Sequence, residues 1–291
     1  MRMYLENFLS EYEYPKTAIT ELLSAYDRIT ACRGSDLAAL VSEYENSYNI
    51  DYTSAMERMK DIAASAGVHV YTADLILFLL YTRGLAEHYK KQGIADQIYR
   101  NTVLDLRYKL DECILVKGVC GSFVAKWFVG FFKLERFALG RLQFEIVDFG
   151  ADYEKEGLSL KPDSKVLNVH IPRTGTRLDR ESVLASYRLA HEFYAPMIGD
   201  KTVFVCSSWL LFPRHKEMLK EGSNLLSFIN DYDVFTSGEY SDYSEIWRLF
   251  DTDFDGNAAH LPANTSLRKS YVDLISRGEK TGWGKGIFEY K

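Results

Sequence analysis

Residues 166–194 read VLNVHIPRTGTRLDRESVLASYRLAHEFY. An apolar run that starts at Val166 stops at His170, Ile171 and Pro172. A turn carrying Gly175 between Arg173 and Arg177 follows, and then an amphipathic helix. Strand, turn and helix in this order form one unit of an α/β sheet. The turn admits two readings. Backbone N–H groups at the helix start, with Arg173, Arg177 and Arg180 nearby and Gly175 free to adopt a left-handed backbone, make an anion site. Alternatively, Asp179 and Glu181 already complement the helix start, with Asp179 as its N-cap, and the segment is a capped turn. His170, at the strand end, is either a general base or a hydrogen-bonded structural histidine.

The same alternation extends on both sides. LGRLQFEIVDF (139–149) sets Leu142, Phe144 and Ile146 against Arg141, Gln143 and Glu145, a strand pattern. TVFVCSSWLLF (202–212) reads as a buried strand, followed by helices near 215–220 and 223–230. WRLF (247–250) reads as a short strand. NTSLRKSYVDLISRG is a helix capped by Asn264 or Thr265 and stopped by Gly278, and IFEY (287–290) is a terminal strand. GWGKG (282–286) reads as a flexible bend before that strand, since no helix follows to make it a phosphate loop.

Upstream the texture is helical. LAALVSEYENSY places Leu37, Leu40, Val41, Tyr44 and Tyr48 at helical spacing. A run after Thr17 has Gly34 near its end. Ser54 and Glu57 match a capping box, with Gly67 just past that helix. A buried helix spans 74–92 with Gly93 as its stop, and another spans 95–116. The pattern changes near Gly118 and Gly121. The expected class is therefore α+β or α/β: an all-helical N-terminal domain, residues 1–118, and a mixed-sheet C-terminal domain, residues 119–291.

Composition bounds the partners. The 291 residues are 47% hydrophobic and 26% charged, with 20 Tyr and 17 Phe, which supports a large aromatic core. A net charge of -6 argues against nucleic acid or an anionic membrane as partner. Cys32, Cys113, Cys120 and Cys206 form no CxxC pair and no zinc spacing, and no metal is expected. MRMYLENFLSEYEYP lacks the apolar run of a signal peptide, so reduced thiols and a cytoplasmic protein are expected. LILFLLY (75–81) is too short to span a bilayer. DTDFDGNAAHLP (251–262) opens like a calcium loop but carries Pro262 where a bidentate glutamate is required. Cys206 as a nucleophile would need an activating partner, and Ser207 and Ser208 lack a G-x-S-x-G context.

Taken in order, HIPRTG, ASYRLAHEFY, VCSSWLL, GSNLLSFINDYDV, WRLF and LPANTSLRKSYVDLISRG resemble a bacterial two-domain acyltransferase family. That family joins a helical N-acyltransferase N-terminal domain to a GNAT-like mixed-sheet domain. The resemblance covers about residues 120–290 and reaches the N-terminal helices by architecture. It implies acyl transfer from an acyl-CoA or acetyl-CoA co-substrate to a small-molecule acceptor, often an amine. It implies that the turn Arg173, Thr174, Gly175 and Thr176 holds the CoA pyrophosphate, although Gly175 follows Arg173 by two positions rather than the usual three. It further implies a slot between the His170 strand and the strand of Cys206, Ser207, Ser208 and Trp209, with Asn224 of the SN pair among the CoA contacts. Backbone N–H groups near Cys206 or Ser207 would polarise the thioester carbonyl. His170 is the first choice of base and Glu145 the second; Ser208 or Tyr232 would protonate the leaving thiolate. A non-catalytic acyl-CoA or metabolite-binding protein would use the same slot.

Overall fold

The structure is a computed structural model and describes residues 1–155, 157–199 and 201–290. It divides into two compact units, Met1–Phe137 and Ala138–Lys291.

The first unit is helical: α1 Arg2–Glu11, α2 Lys16–Asn46, α3 Tyr52–Ser65, α4 Val70–Lys91, α5 Asp96–Lys117 and, after a 3₁₀ turn at Ala125–Phe128, α6 Val129–Phe132. The middle of α4, Leu75 through Tyr81, is apolar and buried on all sides, and the helix packs against α1, α2, α3 and α5. A helix without a polar face takes the centre of a bundle. α2 runs through Gly34 and breaks its helical geometry at Arg33. α3 is capped by Asp51, whose carboxylate accepts from the Ser54 N–H at 3.0 Å. Ser54 is thus the donor, not the cap. Gly67, Gly93 and Gly118 follow their helices with positive φ.

The expected boundary after residue 118 falls short. The chain beyond Gly118 is stitched back to the start of α4: the Thr72 hydroxyl donates to the Cys120 carbonyl at 2.7 Å and the Ser122 N–H to the Tyr71 carbonyl at 3.0 Å. At Gly121 a Cβ would stand 2.4 Å from the Tyr71 carbonyl carbon, so only glycine allows this approach. Phe128, Phe131 and Phe132 then complete the bundle core, Phe132 lying 5.0 Å from the Phe78 ring.

The chain passes into the second unit within β1 Arg136–Leu139, and that unit is built on the sheet of β2 Leu142–Asp148, β5 Lys165–His170, β6 Val203–Ser208, β8 Gly282–Glu289 and β7 Asp233–Glu239, with a separate hairpin of β3 Tyr153–Lys155 and β4 Leu158–Leu160. The sheet order is β1-β2-β5-β6-β8-β7. β5 and β6 are parallel; β2–β5, β6–β8 and β7–β8 are antiparallel. α7, Arg180–Ile198, connects the parallel pair. Its Tyr187 packs on Phe144, Phe204 and Phe288 of one sheet face. The other face buries Val166, Val205 and Ile287 under Leu158 and Leu160 of the hairpin. Short helices follow: α8 His215–Met218, α9 Asn224–Ile229, α10 Trp247–Phe250 and α11 Ser266–Ser276, the last capped by Thr265.

Three local expectations change. WRLF is a helical turn, because Trp247 and Phe250 are buried together at i, i+3. The strand expected over 202–212 ends at Ser208, which accepts the Leu210 N–H at 3.2 Å and opens a 3₁₀ turn at Trp209–Leu211. GWGKG is not a bend: it begins β8. Gly284 and Gly286 stand where Leu211 and Tyr232 press on the sheet, a Cβ on Gly284 meeting the Leu211 carbonyl oxygen at 2.2 Å.

Candidate active site

The site grows from the parallel pairing of β5 with β6. The β5–β6 ladder holds Leu167↔Phe204 and Asn168↔Val205 and no further pairs. β5 continues to His170 and β6 to Ser208. Beyond these pairs the facing edges of the two strand ends are not paired with each other, while His170 still pairs with Gln143 of β2 and Ser208 with Gly284 of β8.

Residues opposite one another in a ladder project from the same face. The β2–β5 register sets Gln143 against His170 and Glu145 against Asn168. The β5–β6 register adds Val205, and two residues on, Ser207, to that face. At the open end of the sheet one face thus carries Gln143, Glu145, Asn168, His170 and Ser207. Phe144, Val169, Phe204 and Cys206 take the α7 face.

Three of these side chains join. His170 Nε2 lies 2.7 Å from Glu145 Oε1. The Asn168 amide donates to the same oxygen at 3.2 Å and lies 3.2 Å from His170 Nε2. The side chains of His170 and Glu145 are 20% and 17% exposed, partly dry yet reachable. A carboxylate takes a proton-bearing nitrogen, so the contact fixes the Nε2–H tautomer of a neutral His170 and places the lone pair on Nδ1. A carboxylate so placed can also stabilise an imidazolium, were Nδ1 to take a proton. The two sequence candidates for the base are one hydrogen-bonded unit. Asn168 was missed, although the alternation in VLNVH puts it on the face of His170; Gln143 was missed likewise.

The other candidates lie elsewhere. Ser207 is exposed on the site face. Cys206 is fully buried on the α7 face, and burial pushes its thiol up to about 12, so it supplies no thiolate at neutral pH. Ser208 is engaged as the 3₁₀ cap. Trp209 leads that turn, its ring 5.7 Å from buried His215. Tyr232 is a correction: its ring packs on Phe228 and Phe288, its hydroxyl meets the Tyr187 hydroxyl at 3.0 Å, and burial drives its pKa well above the usual phenol range. It sits in the core, not with Glu145 and His170.

The turn after β5 is held from within. Gly175 has φ +76, and the Thr176 N–H donates to the Thr174 hydroxyl at 3.3 Å. Arg141 donates to the Pro172 carbonyl at 2.8 Å. Arg173 pairs with Asp251, which also accepts from Arg268. Asp179 caps α7 by accepting the Ser182 N–H at 2.9 Å, and that bond with the Ser182 hydroxyl lowers its pKa. Asp179 is thus the cap of α7, and Asp251 of the calcium-like loop serves as an arginine partner. Asn224 is exposed in the first turn of α9, behind its cap Ser223. Beside it, a cavity of about 360 Å³ is lined by Arg180, Ser223, Ser227 and Asn230, with Asp231 paired to Arg180. No group of three or more potential ligands for a metal ion occurs among the described residues, and none of their helices is long and apolar enough to cross a membrane.

Residues 137–288 match the family described as the GNAT-like C-terminal domain, and residues 3–134 match the N-acyltransferase N-terminal domain. Among solved structures, an acyltransferase in complex with decanoyl-CoA and teicoplanin aligns with TM-score 0.75 at 20% identity, over 98% of this chain and 87% of its own. A mutant acyltransferase in complex with octanoyl-CoA gives the same figures, and an acyltransferase in complex with CoA and 10C-teicoplanin gives 0.74 at 18%. At such identities the likeness establishes the fold. No curated protein matches the chain. Both halves of the chain being matched, in this order, it belongs to the acyltransferase family that joins an N-acyltransferase N-terminal domain to a GNAT-like C-terminal domain.

Proposed function

We propose that the protein transfers an acyl group from an acyl-CoA thioester to a small amine acceptor by direct attack. The observation that carries this reading is the Glu145–His170 pair, 2.7 Å apart, beside the sheet opening where β5–β6 pairing stops. The ligands of the similarly folded structures, decanoyl-CoA and octanoyl-CoA, favour acyl-CoA as donor. The thioester arm enters the opening between His170 and Ser207. The CoA phosphates lie toward the turn of Arg173, Thr174, Gly175 and Thr176, with the cavity at Arg180 and Ser223 alongside.

The amine nitrogen attacks the thioester carbon as its proton passes to His170 Nδ1, and Glu145 stabilises the resulting imidazolium. Backbone N–H groups of β6 beyond Val205, at Cys206 or Ser207, receive the developing oxyanion. The C–N bond is then complete and the C–S bond breaks. The departing thiolate takes a proton from solvent at the open slot, and the imidazolium returns its proton to water. No covalent enzyme intermediate is needed.

The test is thiol release from decanoyl-CoA with a panel of primary amines. His170→Ala lowers kcat by about 10²–10⁴, and Glu145→Gln lowers it while KM for decanoyl-CoA changes little. Thiol release with no amine of the panel, despite saturable decanoyl-CoA binding, would favour a binding protein. Unchanged kcat in both variants would remove this pair from the mechanism.

A further inference from the structure

The helical unit holds a cavity of about 640 Å³ between α3, the start of α4 and the segment through α6. Its volume falls within the range of small-molecule sites. The distribution of charge around it is uneven. The segment through α6 supplies two cations, Lys126 and Lys133, and no carboxylate. The α3–α4 side, with its preceding loop, supplies Asp51, Glu57 and Asp74, with Lys60 as its one cation. None of the three lysines is ion-paired among the described residues. Asp51 is committed to capping α3.

Asp74 stands out. It is 9% exposed, and its Oδ1 accepts no hydrogen bond in the described structure. A buried carboxylate oxygen without a donor destabilises the fold unless something supplies one. Burial raises the Asp74 pKa to about 6, which Lys60 offsets only in part. A ligand ammonium against Asp74 would neutralise it. An anionic group on the same molecule would meet Lys126 and Lys133. Met56, Val70 and Val129 give the cavity an apolar wall for a short aliphatic chain.

We infer that this cavity binds a small amino-acid-like zwitterion, its ammonium on Asp74, its carboxylate on Lys126 and Lys133, and its side chain on Met56, Val70 and Val129. The inference concerns the helical unit alone and stands apart from the acyl-transfer reading.

Calorimetric titration of the full chain with L-norleucine, hexanoate and pentylamine, with no CoA present, tests it. The last two compounds are norleucine without its ammonium and without its carboxylate. L-Norleucine binds saturably, and hexanoate and pentylamine bind at least about tenfold more weakly. Asp74→Asn and Lys133→Met each weaken norleucine by about tenfold or more, while circular dichroism shows both variants folded. Absence of norleucine binding at millimolar concentration, equal binding of hexanoate, or unchanged affinity in folded Asp74→Asn would overturn the inference. Each of these outcomes leaves thiol release at the Glu145–His170 site unaffected, so the two readings fail separately.

Discussion

The chemistry we propose for this protein rests on a contact between two strands. His170 and Glu145 were each legible in the sequence, one as a polar residue ending an apolar run, the other on the polar face of an alternating strand. Their union was not legible, because it depends on register: with Glu145 opposite Asn168, His170 falls two residues further along the same face, within reach of Glu145. A one-residue slip would send the histidine to the α7 side. Tyr232 shows the reverse failure. Its hydroxyl made it a plausible acid, but tertiary packing, unreadable from spacing, buries it against Tyr187. The cysteines make a residue-level prediction. Cys113, Cys120 and Cys206 are buried with thiols pushed up to about 11, 12 and 12, whereas Cys32 is exposed. Iodoacetamide should therefore alkylate Cys32 alone in the native protein, as read by peptide mass spectrometry. Cys206→Ala should keep most of the turnover, whereas a covalent acyl-cysteine route would lose it.

At the scale of elements, helix existence and order were legible, because buried faces and stop glycines print a 3.6-residue period. Strand extents were less so. β8 was hidden by its glycines, which read as a bend but serve close packing. Gly284→Ala should destabilise the protein by about 1–3 kcal/mol, measured by urea denaturation, because Leu211 leaves no space for the new methyl group. α4 carries a second test. The Asp74 pKa is raised in the folded state by burial, to about 6 from an ordinary 3.8. Between those values the unfolded chain has lost its proton while the native chain still holds it. Stability is thus greatest at the acidic end of that window and falls as pH rises through it. Asp74→Asn should raise the stability of the helical unit near neutral pH by up to about 3 kcal/mol, with the gain vanishing below about pH 4. Denaturation across a pH series reads this directly, and a pH-independent gain would mean that the charge of Asp74 is not the cause.

For the whole molecule, the two-domain order was legible in the change from helical to alternating pattern, and the family resemblance agreed with it. The boundary was not. It lies about twenty residues later because a phenylalanine-rich segment belongs to the helical core. The turn after β5 likewise looked like an anion site; Asp179 takes one N–H of the helix start, that of Ser182, and Asp251 pairs with Arg173. The proposed reading seats the thioester arm of acyl-CoA in the opening between β5 and β6. Calorimetric titration of decanoyl-CoA into the wild-type chain and into Ser207→Trp, whose added ring would fill that opening from an exposed position, tests this most directly. The account predicts saturable one-to-one binding to the wild type and its loss in the folded variant. Absence of wild-type binding at millimolar decanoyl-CoA, or equal affinity in Ser207→Trp, would contradict it.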